Sequence, residues 1–440
     1  MASPSASTPS SITRPSPHRP RTDMLRRVML LATAACLLTS GCTSGTTDHA
    51  TIQVDHATAL ADQPVHLTIS GLSPHASVQV GAQAPARDGK TWRAEATFTA
   101  DDHGSIDLDR AAPTAGSYQG VDGMGLFWSM NPPDGNPDAQ AYTPPAEDGH
   151  PVEHVEIRVL QKGKTRASAQ LTRQWLAAGV TTRTLTLAAD KVSGVYVAPP
   201  PDASKHPAVL VFGGSEGGLG VQSVAALLAS HGYPTLAIAY FHAPGLPQDL
   251  HDIPLEYFAT AARWLARQPR VDPAHLIALS ASRGTEAALL LSEHFPGLVH
   301  GAVLYAPTDV VVGSFPERGG AAWTLGGKEL QRDARIPVDH VSGPVLAIAG
   351  ADDQLWPSMT AAPRIAQELD DAHNRFPHRA LIYPQAGHGV SGAPYLPIGT
   401  KEVHPVTRTL ISLGGTRVGN EAALRKGWTA VLALLESLTP

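Results

Sequence analysis

Residues 275–291 contain an apolar run that ends close to a serine and is followed at once by a helical pattern. The run is Leu276–Leu279, Ser282 stands at the join, and Ala287–Leu291 continues the chain as a helix would. A tight turn from strand to helix pushes one hydroxyl out above the end of a sheet, where it can act as a nucleophile. The pattern therefore predicts a nucleophile elbow with Ser282 at its tip.

The elbow departs in one position from the usual G-x-S-x-G pattern. Strand and helix nearly touch at such a turn, so the residues beside the nucleophile must be small. The pentapeptide 280–284 keeps the second glycine, Gly284, and replaces the first with Ser280, which is still small. An ordinary helix start is the alternative for this pentapeptide, and the rest of the chain favours the elbow.

The composition is that of a large globular protein. The chain has 440 residues, 42% of them hydrophobic and 16% charged, which is enough for two or three domains. A formal net charge of −6 without a dense basic face argues against a nucleic-acid partner. The 20 histidines are scattered and lack the spacing of a His-Glu-x-x-His or paired-cysteine site, so we predict no metal centre.

The N-terminal segment predicts export. Residues 1–23 are rich in Ser, Pro, Thr and Arg and are expected to be disordered, unless translation begins at Met24. Residues 24–42 have the order of a secretory signal: a pair of arginines, then the apolar run Val28–Leu38. This run is too short to span a membrane as a stable helix.

The signal ends at a cysteine preceded by small residues. The segment Leu38–Cys42 resembles a bacterial lipobox, and the resemblance implies that Cys42 is lipidated and becomes the mature N-terminus. We therefore expect a protein of the cell envelope, held by a lipid anchor outside the inner membrane. A plain signal peptide or an uncleaved anchor is the alternative.

The remaining chain divides into two parts that differ in pattern. After a tether at 43–49, residues 50–165 consist of short alternating runs broken by Gly, Pro and Asp, which predicts an antiparallel β-sandwich. Residues 166–206 are interpreted as connecting strands. From 207 to 440, apolar strands alternate with helices, which predicts a mostly parallel sheet with helices on both faces.

Two further expectations concern the N-terminal part. Trp92, Phe127 and Trp128 are its large apolar side chains and are expected to lie in its core. Residues 131–150 form a Pro-rich loop, which we expect to extend toward the second domain.

A serine nucleophile needs a base and an acid that orients the base. In α/β-hydrolases these follow the serine in the order Asp or Glu, then His. Asp353 follows the apolar strand Val345–Ala349 and is preferred to Asp352 as the acid; the alternative is that both only cap the next helix. His388 lies between two glycines after a last strand and is the predicted base, the alternative being a surface loop residue.

The oxyanion needs backbone N–H donors close to the nucleophile. One is expected from Arg283, the residue after Ser282. The second is expected from the glycine-rich turn 213–218, at Gly214 or Ser215, because glycine lets the backbone approach a substrate closely. The same turn is similar to a phosphate-binding loop but lacks the Gly-Lys-Ser/Thr ending.

With these residues in view, the chain resembles the acyl-CoA thioesterase and bile acid-CoA:amino acid N-acyltransferase family from about residue 50 to the C-terminus. Four segments carry the resemblance in the right order: Ser282–Glu286, with a basic residue after the serine and a glutamate at its end; Gly350–Ser358; Tyr383–His388 with Ala393–Pro397; and Leu413–Gly415 with Gly427-Trp428. Ser280 and Thr285 depart from the family pattern.

The resemblance implies an N-terminal immunoglobulin-like sandwich joined to an α/β-hydrolase domain with a Ser282, Asp353 and His388 triad. It implies a serine thioesterase that hydrolyses acyl-CoA or related acyl thioesters without a cofactor. Hydrolysis is implied rather than amino-acid conjugation because the conjugating members of the family resemble enzymes with a cysteine nucleophile, whereas this chain has Ser282. Export conflicts with an intracellular acyl-CoA substrate. An envelope carboxylesterase or peptidase with the same triad and a non-catalytic binding lipoprotein are the alternatives. Oligomeric state is left open.

Overall fold

The computed structural model describes residues 49–201 and 204–439. The predicted signal peptide 24–42, the lipidation site Cys42 and the tether up to residue 48 lie outside the described residues. None of the described helices combines the length and the apolar composition needed to cross a membrane.

The N-terminal part is built mainly from strands that form two sheets. Its elements are β1 (Thr51–Val54), β2 (Thr58–Leu60), β3 (Leu67–Ser70), β4 (Ser77–Pro85), β5 (Thr91–Thr99), β6 (Ile106–Asp107), β7 (Ala115–Gly116), helix α1 (Gly125–Trp128), a 3-10 helix (Pro145–Asp148), β8 (Val152–Gln161) and β9 (Lys164–Gln174).

These strands form a three-stranded sheet in the order β1-β3-β6 and a six-stranded sheet in the order β2-β9-β8-β4-β5-β7. Alternate side chains of β4 and β5 are buried, as the period-two pattern predicts. Residues of both sheets share one hydrophobic core. Trp92, Phe127 and Trp128 are at most 3% exposed, which confirms their place in this core.

The second part begins after Gln174 and alternates strands with helices. Its elements are β10 (Thr181–Leu185), α2 (Leu187–Asp190), β11 (Ser193–Ala198), β12 (His206–Phe212), α3 (Gln222–Ser230), β13 (Thr235–Ala239), β14 (Ile253–Pro254), α4 (Leu255–Ala266), β15 (Val271–Ala281), α5 (Gly284–His294), β16 (Gly301–Tyr305), β17 (Trp323–Leu325), β18 (Lys328–Glu329), β19 (Val345–Gly350), α6 (Ser358–Asp371), β20 (His378–Tyr383), β21 (Lys401–Val403), β22 (Leu410–Ser412) and α7 (Arg417–Ser437).

Eight of these strands form one sheet in the order β10-β11-β13-β12-β15-β16-β19-β20. Its members from β13 to β20 pair in parallel, and β11 runs antiparallel to both of its neighbours. Helices α4, α5 and α6 pack on one face, and α3 and α7 on the other. Because both faces are covered, the central strands are apolar throughout. This mixed sheet with helices on both faces is the α/β-hydrolase fold, as predicted.

The division between the two parts differs from the prediction. Strand β9 extends the six-stranded sheet to Gln174, and β10 and β11 belong to the eight-stranded sheet. The segment 166–206 is therefore shared between the two sheets and is not a connection of its own. Alternation identifies a strand but does not tell which sheet the strand joins.

The Pro-rich loop 131–150 contacts the second part at several points. Asp138 accepts hydrogen bonds from the N–H groups of Thr400 and Lys401, at 2.6 and 3.1 Å. The carboxylate of Glu147 accepts from two N–H groups at the start of α3. Arg417, the first residue of α7, donates to Asn131 at 2.9 Å. The expected reach of this loop is confirmed.

Candidate active site

The turn between β15 and α5 places Ser282 above the end of the sheet. Ser282 has a φ of 52°, a left-handed conformation that costs energy for a residue with a side chain and is often found at functional sites. Its own N–H donates to the carbonyl of Tyr305 on the next strand, at 2.8 Å. The predicted elbow is therefore present, with the serine at its tip.

The two small residues of the elbow have separate structural reasons. A Cβ on Gly284 would lie 2.0 Å from Oγ of Ser280 and 2.2 Å from the carbonyl oxygen of Gly213. The Ser280 hydroxyl donates to the carbonyl of Phe212 at 2.7 Å. Serine is thus accommodated in place of the first glycine because its hydroxyl bonds the neighbouring strand β12.

Asp353 and His388 meet at the ends of the last two sheet strands. His388 Nδ1 lies 2.9 Å from Oδ2 of Asp353, and the imidazole is 9% exposed. Asp352 faces away and accepts from the N–H of Gly415 at 2.9 Å. The geometry thus supports Asp353 rather than Asp352 as the partner of the histidine.

Other contacts fix the Asp353 carboxylate in place. It also accepts from the Ser358 hydroxyl at 2.5 Å and from the N–H groups of Leu355 and Trp356. Burial alone would raise the pKa of Asp353, but the hydrogen bonds from His388, Ser358 and Leu355 outweigh it and lower the pKa below its ordinary value. The lowered pKa favours the ionised carboxylate, which accepts the proton of Nδ1, and Nε2 is then the ring nitrogen that can act as a base.

The imidazole itself is held by its surroundings. The Trp356 ring packs edge-on against it with centroids 5.8 Å apart, and the indole N–H donates to the carbonyl of Ala306. Gly387 permits the approach of the 413–414 backbone, since a Cβ there would lie 2.3 Å from the Leu413 oxygen. The sequence analysis did not assign a role to Trp356 or Ser358, although both stand in the segment that carries the family resemblance.

The predicted oxyanion donors have different outcomes. Within the described residues, the N–H of Arg283 has no hydrogen-bond acceptor, and neither has that of Ser215. The N–H of Gly214 points to the Glu216 carboxylate, at 2.9 and 2.8 Å from its two oxygens. The N–H of Gly214 is thus already used by a side chain two residues away, and Ser215 is the alternative whose N–H is available.

Arg283 has a second structural role at the elbow. Its guanidinium pairs with the buried carboxylate of Glu286 at 2.6 Å and donates to the carbonyl of Gly313 at 2.6 Å. Glu286 also accepts from Val312 and from the Trp323 indole. This network fixes the first turn of α5 directly behind the nucleophile.

Ser282 and His388 line the same cavity, which has a volume of about 630 Å³. Much of its wall is apolar, formed by side chains that include Leu279, Leu396, Ile398, Leu413, Leu424 and Trp428. Lys401 and Arg408 are exposed at this cavity, and neither side chain has an ion pair or hydrogen bond within the described part of the chain. The site thus combines an apolar interior with two unpaired cations.

Three glutamates line the cavity: Glu147, Glu216 and Glu402. Burial raises the pKa of Glu216, against the effect of its own N–H and that of Gly214. Burial also raises the pKa of Glu402, and the charge of Glu216 adds to this effect. None of these glutamates was assigned a role from the sequence.

A group that could hold a metal occurs in the N-terminal part. His66, Asp107 and Asp109 offer ligand atoms within 4.8 Å of one another. The histidine there already pairs with both carboxylates, and exposed ion pairs of this kind are common without a metal.

Comparisons with known proteins agree on one family. A model described as the Acyl-CoA thioester hydrolase/BAAT N-terminal region matches residues 62–186, and one described as the BAAT / Acyl-CoA thioester hydrolase C terminal matches residues 322–439. Together they cover more than half of the chain, including Asp353 and His388. The elbow at Ser282 lies between the two matched regions.

Curated relatives extend the similarity across the elbow. Acyl-coenzyme A thioesterase 6 of Homo sapiens is 28% identical over 398 residues, 84% of this chain and 92% of the relative. The peroxisomal succinyl-coenzyme A thioesterase of Mus musculus is 28% identical over the same shares of both chains. Acyl-coenzyme A amino acid N-acyltransferase 1 of Mus musculus is 27% identical, over 85% of this chain and 94% of the relative.

Among solved structures, a dienelactone hydrolase-like promiscuous phosphotriesterase from metagenomic libraries aligns with a TM-score of 0.41 and 19% identity. The alignment covers 60% of this chain and 100% of that one. The fold assignment therefore depends on the strand order described above and not on this alignment.

Proposed function

The chain belongs to the acyl-CoA thioester hydrolase/BAAT family and is a thioesterase-like hydrolase, and on this premise we propose that it is a serine thioesterase with a Ser282, Asp353 and His388 triad. The observation that carries the proposal is the Asp353–His388 pair, whose histidine shares a cavity with a serine in strained elbow geometry. We also propose that the N-terminal sandwich is immunoglobulin-like.

The first half of the reaction forms an acyl-enzyme. Ser282 Oγ bonds to the carbonyl carbon of the thioester while Nε2 of His388 takes the hydroxyl proton, and the carbonyl oxygen becomes an oxyanion held by the N–H groups of Arg283 and Ser215. The carbon–sulfur bond then breaks, and the imidazolium returns its proton to the leaving thiolate. Asp353 orients the imidazole and stabilises its charged form.

The second half releases the acid. His388 takes a proton from water as the water oxygen attacks the acyl-enzyme, and the proton passes to Ser282 Oγ when its ester bond breaks. An amine in place of water would give acyl transfer, the activity named for one murine relative. The serine nucleophile favours hydrolysis, and mass spectrometry of the products formed with glycine or taurine present distinguishes the two outcomes.

The cavity supports a substrate with an apolar acyl group and an anionic leaving group. Its apolar interior suits an acyl chain, and Lys401 and Arg408 offer two unpaired charges at the same site. Phosphate groups of coenzyme A are the kind of partner that such cations bind. We therefore place acyl-CoA or a related acyl thioester first, with simple carboxylic esters as the alternative substrate class.

A pair of assays tests this proposal. A fluorophosphonate probe should label the wild-type protein and not Ser282→Ala, and Ser282→Ala should lose about 10⁴-fold or more in turnover. Ser342→Ala is the control: Ser342 is also half-buried, precedes β19 at the amino ends of the sheet strands, and donates to the carbonyl of Pro296 at 2.6 Å. Absence of labelling in wild type would favour a binding protein. Equal turnover of an acyl-CoA and of the p-nitrophenyl ester of the same acyl group would favour an esterase.

We propose in addition that Cys42 carries a lipid anchor outside the inner membrane. The support is the lipobox-like segment before this cysteine. Metabolic labelling of the full chain with an alkyne fatty acid should mark the wild type and not Cys42→Ala. An unlabelled wild-type protein in the cytoplasmic fraction would contradict the proposed anchor. It would also remove the conflict between export and an intracellular acyl-CoA substrate.

A further inference from the structure

His404 contacts the oxyanion turn from a part of the chain 189 residues away. Its Nε2 lies 3.0 Å from Oγ of Ser215. The histidine is buried on the connection between β21 and β22, and its ring packs against Phe315 with centroids 5.0 Å apart. His404 and Ser215 line the same cavity as Ser282.

The backbone around His404 determines which ring nitrogen carries the proton. Nδ1 accepts from the N–H groups of Val406 and Thr407, at 3.2 and 3.3 Å. An imidazole nitrogen that accepts hydrogen bonds bears no proton, so the neutral ring carries its proton on Nε2. Burial lowers the pKa of His404, which keeps the ring neutral. Nε2–H therefore donates to Ser215, and the serine oxygen is the acceptor.

This arrangement leaves the hydroxyl proton of Ser215 free. A hydroxyl has one donor and two acceptor sites, and His404 occupies one acceptor site. Across residues 49–201 and 204–439, the Ser215 hydroxyl has no other hydrogen-bond partner. The preceding residue, Gly214, lies directly against the nucleophile, since a Cβ there would be 3.0 Å from Cβ of Ser282. A free donor thus lies in the cavity that Ser282 lines, on the residue that follows Gly214.

We infer that the side-chain hydroxyl of Ser215 donates a hydrogen bond to the oxyanion, and that His404 is a positioning residue that directs it there. The inference rests on the proposed acyl-enzyme mechanism and adds a side-chain donor to the two backbone ones. It also supplies a donor where Gly214, occupied by Glu216, does not. An oxyanion donor acts in the transition state more than in the ground state, so its loss lowers kcat and leaves KM nearly unchanged.

The test uses the full chain with p-nitrophenyl butyrate and butyryl-CoA as substrates. Ser215→Ala keeps the backbone N–H and removes only the hydroxyl, so it should lower kcat by about 10²-fold. Affinity for an alkyl trifluoromethyl ketone, which forms a tetrahedral adduct with the nucleophile, should fall with kcat. His404→Phe keeps a ring against Phe315 but no donor and should also lower kcat, whereas His404→Gln retains a donor and should recover part of it.

A double variant separates positioning from a general structural role. If His404 acts through Ser215, adding His404→Phe to Ser215→Ala should cause no further loss of kcat beyond about twofold. Ser342→Ala is the control, with wild-type kcat and KM expected. Thermal unfolding by circular dichroism identifies any variant that fails to fold, and His404→Gln then carries the test.

The outcomes distinguish this inference from the proposed function. A Ser215→Ala variant with kcat within about twofold of wild type, or full additivity of the two changes, would overturn the inference while Ser282→Ala remained inactive. Activity in Ser282→Ala would instead overturn the proposed function. Loss of affinity through KM alone would assign Ser215 to substrate binding and also contradict the inference.

Discussion

The buried carboxylate of Glu286 offers the sharpest prediction about stability. Its side chain is fully buried and accepts from the guanidinium of Arg283 at 2.6 Å, from the N–H of Val312 at 2.7 Å and from the indole of Trp323 at 2.9 Å. Glu286→Ala removes the acceptor for all three donors and leaves a buried charge without its partner. Breaking a buried pair in this way costs about 3–5 kcal/mol. Glu286→Gln keeps the shape and one acceptor oxygen and should cost clearly less.

The assay is urea denaturation followed by circular dichroism and tryptophan fluorescence, with residual hydrolase activity measured after brief heating. The two probes are compared because a chain of this size need not unfold in one step. Glu329→Ala, at an exposed glutamate on β18 whose side chain has no hydrogen bond or ion pair among the described residues, should stay within about 0.5 kcal/mol of wild type. The reasoning would be refuted if Glu286→Ala cost less than about 1 kcal/mol or if Glu286→Gln were equally damaging.

Three further outcomes follow from the same structure. Gly284→Ala would bring a Cβ to 2.0 Å from the Ser280 hydroxyl, so thermal unfolding should show that the free energy of unfolding falls by about 1–3 kcal/mol. Gly297→Ala, where a Cβ would have no atom within 4 Å, should leave it unchanged. Asp353→Asn should lower kcat by about 10³–10⁴-fold in steady-state assays, whereas Asp352→Asn should keep kcat near wild type. Burial raises the pKa of Glu153 from 4.5 to about 7, so the folded state holds a proton that the unfolded state releases. The free energy of unfolding should therefore fall as pH rises from 4.5 to 7, and urea denaturation of Glu153→Gln should show a flatter profile in that range.

The local parts of the site could be predicted because each is encoded by neighbouring residues. Ser282 is identified by an apolar strand before it and a helix after it, and Asp353 and His388 each follow an apolar strand. Strands of a parallel sheet end at one edge, so residues at those ends converge without further information. The catalytic roles of the three residues stay predictions until the variants are measured.

The parts of the site that the sequence did not predict depend on contacts that side chains make with residues outside their own local pattern. Nothing in the local pattern tells that the Glu216 carboxylate turns back and occupies the N–H of Gly214. The contact of His404 with Ser215 spans 189 residues, and no spacing rule relates a histidine on a hairpin to a turn after another strand. The glutamate within a glycine-rich turn was the one signal that a side chain could occupy the predicted donor.

The Pro-rich loop of the N-terminal part makes side-chain contacts near the candidate site. Asp138 accepts two backbone N–H groups at the start of β21, the strand that precedes His404 and leads to Arg408. Glu147 accepts two N–H groups at the start of α3, where the helix dipole favours a negative charge. Both contacts lie on elements that form the cavity wall. The Pro-rich loop of the N-terminal part thus contacts two segments of the wall of the cavity that Ser282 and His388 line.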